Sequence, residues 1–172
     1  DSFDILIIIV NDSNLFSGLE INKNQIKQKL IDAYKSYTNE YLKEILKLLV
    51  FDGKQDIVEK ISRQELDLDT IIMDDAYYLT PTDILLFSFE YKIPILIIME
   101  HDTTIKVSSI MKSNEYYCLF YDKSNHDLSL FETSFTLLIY KTIMNEKLLT
   151  LLEKNKDNFT DYIQSVSTIG ML

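Results

Sequence analysis

The residues able to do chemistry in this chain are few and widely spaced. Cys118 is the only cysteine, which excludes an intramolecular disulfide and any cysteine-based zinc cage. A thiol nucleophile needs a lowered pKa, usually at a helix N-terminus, and an imidazole within reach. Cys118 instead falls inside the run Tyr116-Tyr117-Cys118-Leu119-Phe120-Tyr121, where a thiol behaves as a small buried hydrophobe. The two histidines, His101 and His126, each precede an aspartate, Asp102 and Asp127, in stretches that read as polar turns. A base next to an orienting carboxylate is one use of that pairing, and a solvated turn is the other. Asp67, Asp69, Asp74 and Asp75 offer hard oxygens, but their spacing lacks the central glycine and closing glutamate of an EF-hand loop, so they read as a solvated acidic loop. Asp83, Glu90 and Lys92 have the composition of an acid-plus-lysine nuclease set, yet they fall on one helix and its end rather than on strands. Gly18, Gly53 and Gly170 are scattered and no Gly-Lys-Ser/Thr follows any of them, so no phosphate cradle exists. No catalytic residue, metal ligand or cofactor is therefore assigned.

The strongest positioning signals lie between Asp74 and Met99, which contains both prolines. Thr80 suits a helix cap, Pro81 suits the first helical position, where its missing N–H has no partner to lose, and Asp83 stands where a capping box places its acid. A helix starts here, apolar on nearly every side through Ile84, Leu85, Leu86, Phe87 and Phe89 and hence buried. Pro94 forces Ile93 out of the helical region, and Ile95 to Met99 reads as an inner strand covered on both faces. Phe3 to Val10 is nearly continuous in aliphatic and β-branched residues and reads as a second inner strand. Asn11 to Gly18 would then leave the carboxyl end of a strand, where open α/β sheets bind ligands.

Asn22 with Gln25 forms a capping box, and Ile26, Leu30, Ala33 and Tyr37 continue at helical spacing to Tyr41. The pattern resumes to Val50 and stops at Asp52-Gly53, and residues 55 to 64 form a shorter helix. After Met99, a hairpin and meander is expected, with strands near 105 to 110, 116 to 121 and 128 to 131. Thr133 or Ser134 would cap a long helix to about Lys154, residues 158 to 166 would form a last short one, and 167 to 172 would be a flexible tail. The fold class is α+β (mixed α/β), a small twisted sheet of about five strands packed by helices.

With 172 residues, 47% of them hydrophobic, the chain buries a sizeable core as one domain, 1 to 172, whether whole or excised from a larger protein. No run approaches the ~20 apolar residues of a membrane span, and the start has no basic signal-peptide region, so a cytoplasmic chain is expected. A net charge of −10 with Arg63 as the only arginine argues against nucleic acid as a partner. The tyrosines, among them Tyr34, Tyr37, Tyr41, Tyr77, Tyr78 and the 116 to 121 group, suit core lining, with about a third expected at a protein interface.

Two segments resemble the ovarian-tumour-like (OTU) branch of the papain-like cysteine proteases, which remove ubiquitin. The loop Asp12-Ser13-Asn14-Leu15-Phe16 is similar to that family's Asp-Gly-Asn-Cys-Leu-Phe, and Tyr91-Lys92-Ile93-Pro94-Ile95-Leu96-Ile97 is similar to its Asn-x-Pro-Ile-x-Val strand after an acidic, aliphatic helix. Order and rough spacing agree over residues 11 to 121. Aligning on Leu15-Phe16 puts Asn14 where the nucleophile belongs, and the late His-Tyr pair falls near Glu115-Tyr116-Tyr117 with no histidine. The resemblance therefore implies an inactive relative whose binding residues are Asp12, Ser13, Asn14, Tyr116 and Tyr117, and whose partner is a protein, ubiquitin-like or part of a larger assembly. The bias towards Ile, Leu, Lys, Asn and Tyr, with Ala33 and Ala76 as the only alanines, tracks A+T-rich codons, as in large DNA viruses, intracellular bacteria or protozoan parasites. The expected function is a non-catalytic interaction or assembly module. The alternatives are a hydrolase using His101 or His126 with nearby carboxylates, and a purely structural domain of a viral assembly.

Overall fold

The computed structural model describes residues 2–16, 18, 20–101, 104–108, 113, 115–121 and 135–143. Helices dominate the first half, in the order α1 (Ser2–Ser13), α2 (Lys23–Phe51), α3 (Gln55–Ser62), α4 (Leu68–Met73) and α5 (Pro81–Tyr91). Strands β1 (Ile95–His101), β2 (Thr104–Ser108), β3 (Glu115–Tyr121) and β4 (Phe135–Ile143) follow. The class is mixed helix and strand, as expected, and most of the described chain is helical.

Residues 3 to 10 are helical, which corrects the expected first strand. An unbroken apolar run carries no period that separates a buried strand from a buried helix, and here packing decides. Phe3, Leu6, Ile9 and Val10 fall on one helical face and are buried, while Asp4 and Ile8 face solvent. Removing Leu6 to alanine would cost about 2–5 kcal/mol by the usual cavity penalty.

The capping logic of α2 and α5 holds. Asn22 Oδ1 accepts from the Gln25 N–H at 2.9 Å and Gln25 Oε1 accepts from the Asn22 N–H at 2.9 Å. Thr80 donates its N–H to Asp83 at 2.8 Å, and Pro81 opens α5. Tyr41, where the sequence pattern pauses, leaves helical geometry at φ −124° and ψ 24° and kinks α2 into two halves. At the far end of α5, Lys92 takes a left-handed φ of 55°, and Ser88 Oγ bonds the Ile93 carbonyl at 2.5 Å, turning the chain into β1.

The sheet has the order β2-β1-β3-β4 among the described residues. β1 pairs antiparallel with β2, parallel with β3, and β3 pairs antiparallel with β4. The expected hairpin after β1 is present, but the strands do not continue as a meander, because β3 returns to the opposite side of β1. Residues 135 to 143 are β4 instead of the start of the expected long helix. Phe135-Thr136-Leu137-Leu138-Ile139-Tyr140 is rich in β-branched and aromatic residues, and pairing with β3 outweighs the helical spacing of its leucines. The expected strand at 128 to 131, the remainder of that helix to Lys154, the helix at 158 to 166 and the tail at 167 to 172 lie outside the described residues.

One contiguous apolar core runs from Phe3 on α1 through Ile26, Leu30 and Tyr34 on α2 and Leu85 and Phe87 on α5 to Ile95, Ile97, Tyr117 and Leu119 on the sheet. Alternate sheet residues Leu96, Tyr116 and Cys118 form a second buried cluster on the opposite face.

Candidate functional site

The Asn11 to Gly18 loop ends a helix, so it does not occupy the crevice beyond strand carboxyl ends. It lies against the opposite end of the parallel pair, since Tyr117, its partner on β3, stands beside Ile95, the first residue of β1. Its asparagines hold it in shape. Asn11 Oδ1 accepts the Ile21 N–H at 3.1 Å, and Asn14 Oδ1 accepts the Gly18 N–H at 3.0 Å. Asn14 itself sits at φ 52°, a left-handed geometry that asparagine tolerates better than most residues. Ser13 Oγ donates to the Val10 carbonyl at 2.8 Å, a helix back-bond that turns the hydroxyl away from any substrate.

The Tyr117 hydroxyl donates to the Asp12 carboxylate and joins positions 105 residues apart. Tyr116, the next residue along, faces the other side of the sheet, where its hydroxyl accepts the Ser113 N–H at 2.8 Å. The structure thus brings Asp12 together with Tyr117 and places Tyr116 elsewhere. The hollow bordered by Asn11, Asn14, Phe16, Gly18 and Glu20 has a volume of about 160 Å³. Ligand pockets commonly run from ~300 to ~1,000 Å³, so this one suits little more than ordered water.

Other residues of chemical interest are dispersed. Cys118 is buried in β3, and burial pushes its thiol up to about 11, the reverse of an activated nucleophile. His101 is the last residue of β1 and pairs with Thr104, so it occupies a strand and not the expected turn. His126 with Asp127, and Asp102, lie outside the described residues. Asp67 caps α4 by accepting the Thr70 N–H at 2.8 Å, Asp69 pairs with Lys35 at 2.8 Å, and Asp74 accepts the Ala76 N–H at 2.7 Å. Among the described residues no three His, Cys, Asp or Glu side chains converge on a metal position. Glu90 accepts from Ser36 and Tyr37 on α2, far from the role Asp83 plays.

Asp83 is the centre of a buried polar network that no sequence motif announced. Its Oδ1 accepts from the hydroxyls of Tyr34 and Tyr77, each at 2.6 Å. Its Oδ2 accepts from Lys54 Nζ at 2.7 Å, the Thr80 N–H at 2.8 Å and the Thr80 hydroxyl at 3.2 Å. Lys54 also donates to the Tyr77 hydroxyl at 2.9 Å. Both ions are fully buried. Burial, followed by the charge of Asp83, raises the phenols of Tyr34 and Tyr77 well above their ordinary value. Nearby, Asp52 accepts the Thr82 N–H at 2.9 Å, and burial raises its carboxyl. The network ties α2, its turn into α3, and the start of α5 with every lone pair of Asp83 in use, and no substrate reaches it. Its role is structural.

A further concavity among the described residues is a groove of about 460 Å³ between residues 35 to 49 of α2 and residues 61 to 69. Ile45 and Leu49 form its buried floor, Leu46, Ile61 and Leu68 are half-buried, and Leu42 and Leu66 stand at the rim with 43% and 39% of their surfaces exposed. The polar members of the lining are Thr38, Asn39 and Gln64 together with Lys35, Asp67 and Asp69. Gln64 adopts a left-handed φ of 58°. The kink at Tyr41 precedes Leu42 and sets the direction of the wall that α2 contributes. Of the tyrosines whose side chains are described, Tyr34, Tyr77, Tyr116, Tyr117 and Tyr121 are buried, and Tyr37, Tyr41, Tyr78 and Tyr91 are half-buried. Tyrosine's large apolar ring was used for core, and the exposed apolar groups are aliphatic side chains with Phe51 and Phe89.

No family model, curated protein or solved structure matches the chain. No helix among the described residues is long and apolar enough to cross a membrane.

Proposed function

We propose that this chain is a non-catalytic protein-interaction module, in the manner of the pseudoenzyme that the OTU-like resemblance implies, and that it works in the cytoplasm. The observation that carries this reading is the open apolar groove bordered by exposed Leu42 and Leu66, since a soluble chain keeps such a surface for a partner. Support for the pseudoenzyme form comes from Asp12 and Tyr117, which link the nucleophile-like loop to the late strand as that resemblance implies. The loop itself supplies an amide at Asn14, which does not attack carbonyls, and a serine whose hydroxyl is bonded to the backbone. The helical course of residues 3 to 10 departs from the strand expected before that loop.

Incubation of the whole chain with a ubiquitin-based, thiol-reactive probe tests this. The expected result is no adduct, because the one thiol is buried and protonated. A covalent adduct at Cys118 would overturn the non-catalytic reading.

A further inference from the structure

We propose that the groove between residues 35 to 49 of α2 and residues 61 to 69 receives an amphipathic helix of a partner protein. That helix carries large aliphatic residues at i, i+4 and i+7 and a Lys or Arg at the end that meets Asp67. The proposal deepens the interaction reading and rests on it.

The lining selects among the ways a peptide is recognised. Addition of a strand requires an unpaired sheet edge, but the groove is built from α2, the end of α3, the turn after it and the start of α4, with no strand in its walls. Polyproline recognition requires aromatic walls, and none of the lining residues is aromatic. An aliphatic floor between helical walls, formed by Ile45 and Leu49 with Leu42, Leu46, Ile61 and Leu66 above it, fits the apolar stripe of a helix. The rim adds Thr38, Asn39 and Gln64 for polar contacts, and the left-handed backbone at Gln64 is the kind of local strain that gathers at binding sites.

Charge sets the character of the occupant. The lining holds Lys35, Asp67 and Asp69, and Lys35 is taken by Asp69 at 2.8 Å. Asp67, exposed, caps α4 through Thr70, whose hydrogen bonding holds its carboxyl below the usual range, and it shares the charge of Lys35 with Asp69, so the lining carries one net negative charge. A cation on the occupant complements it. The same balance disfavours a second copy of this chain, because each copy carries a net charge of −10.

The test starts from a phage-displayed library of helical peptides with Leu, Ile, Met or Phe at i, i+4 and i+7 and randomised flanks, selected against the whole chain. Enriched peptides are then synthesised and titrated by fluorescence anisotropy against the parent chain, Leu42→Asp, Leu66→Asp and Asp67→Asn. The two leucines are exposed enough to substitute without disturbing the core, and Asn caps α4 as well as Asp does. Expected results are enrichment of Lys or Arg beside the apolar stripe, a loss of about tenfold or more in either leucine variant, and a loss of roughly threefold to tenfold in Asp67→Asn that shrinks in high salt. Full-strength binding to both leucine variants would overturn the groove while leaving an interaction module elsewhere on the surface. Equal enrichment of acidic flanks would overturn the charge complementarity. Failure to enrich any helical peptide, or a sedimenting dimer that Leu42→Asp dissolves, would overturn the proposed occupant. A probe adduct at Cys118 tells against the non-catalytic reading and leaves the groove measurement intact.

Discussion

Asp83→Asn is the sharpest perturbation that the structure offers, because one oxygen pair holds five donors in a dry interior. The substitution removes the negative charge opposite Lys54, whose side chain is fully buried. Breaking one side of a buried ion pair costs about 3–5 kcal/mol, because the surviving charge has no water to turn to. An amide also presents N–H where Lys54 Nζ and the Thr80 N–H need an acceptor, and loss of that half of the capping box adds about 1 kcal/mol. The total, roughly 4–6 kcal/mol, is a large share of the 5–15 kcal/mol typical of a domain. Lys54→Met should cost less by about 1–2 kcal/mol, since Asp83 keeps both phenols and Thr80, whereas an abandoned Lys54 keeps one hydrogen bond, to the Tyr77 oxygen, beside the ring contacts and the buried Asp52. The assay is urea unfolding followed by the helical circular dichroism signal, in which a slope of ~2 kcal/mol/M turns a 4 kcal/mol loss into a midpoint shift of about 2 M. The double variant should fall short of the summed single costs by about 2–3 kcal/mol. Strict additivity, or a loss below about 1 kcal/mol in Asp83→Asn, would refute this account of the network.

Two further outcomes follow from other buried groups. Asp52 has a carboxyl raised by burial, so the folded state holds its proton more tightly than the unfolded chain at ~3.9. Stability from this group is therefore greatest below ~pH 3.9 and declines as pH rises through the raised folded value. Asp52→Asn, which keeps an acceptor for the Thr82 N–H, should gain on the parent over that interval and then hold its advantage; melting temperatures recorded from pH 3 to 8 with a constant gap would contradict it. For Cys118, a thiol at about 11 is only ~0.1% thiolate at pH 8, against roughly a quarter for a free cysteine. Alkylation should run more than ~100-fold slower in the folded chain than in urea, and rates within tenfold of one another would show that the thiol is not shielded.

Local chemistry made much of this fold legible. Thr80-Pro81 and Asn22 with Gln25 fixed two helix starts because caps act within one turn, and Pro94 marked the passage into β1 because its ring acts on the residue before it. Residues 3 to 10 and 135 to 143 were misassigned because each is apolar enough to be buried either way, and only distant partners choose the period. The candidate site was less legible for the same reason. Asp12 was readable as a loop acid, but its contact with Tyr117 spans most of the described chain. The groove depends on α3 stopping at Ser62 and α4 starting at Leu68, and on the bend at Tyr41, none of which a hydrophobic period records. The Lys54–Asp83 pair was hidden because a buried lysine has the same letter as a solvated one.

The anchoring of α1 has a consequence for how the chain is made. Its backbone partner at Leu79 and its phenol partner at Tyr117 lie 77 and 105 residues beyond their mates on the helix, and it also packs on β4. At roughly 5–20 residues per second, a ribosome delivers Tyr117 some 5–20 s after Asp12, and during that interval α1 has the other helices and the Tyr77 to Leu79 segment to pack on but neither β3 nor β4. A nascent chain halted before β3 therefore displays a greasy helix without its sheet, a natural substrate for chaperones that grip apolar segments. Completion of β3 and β4 is the event that withdraws it.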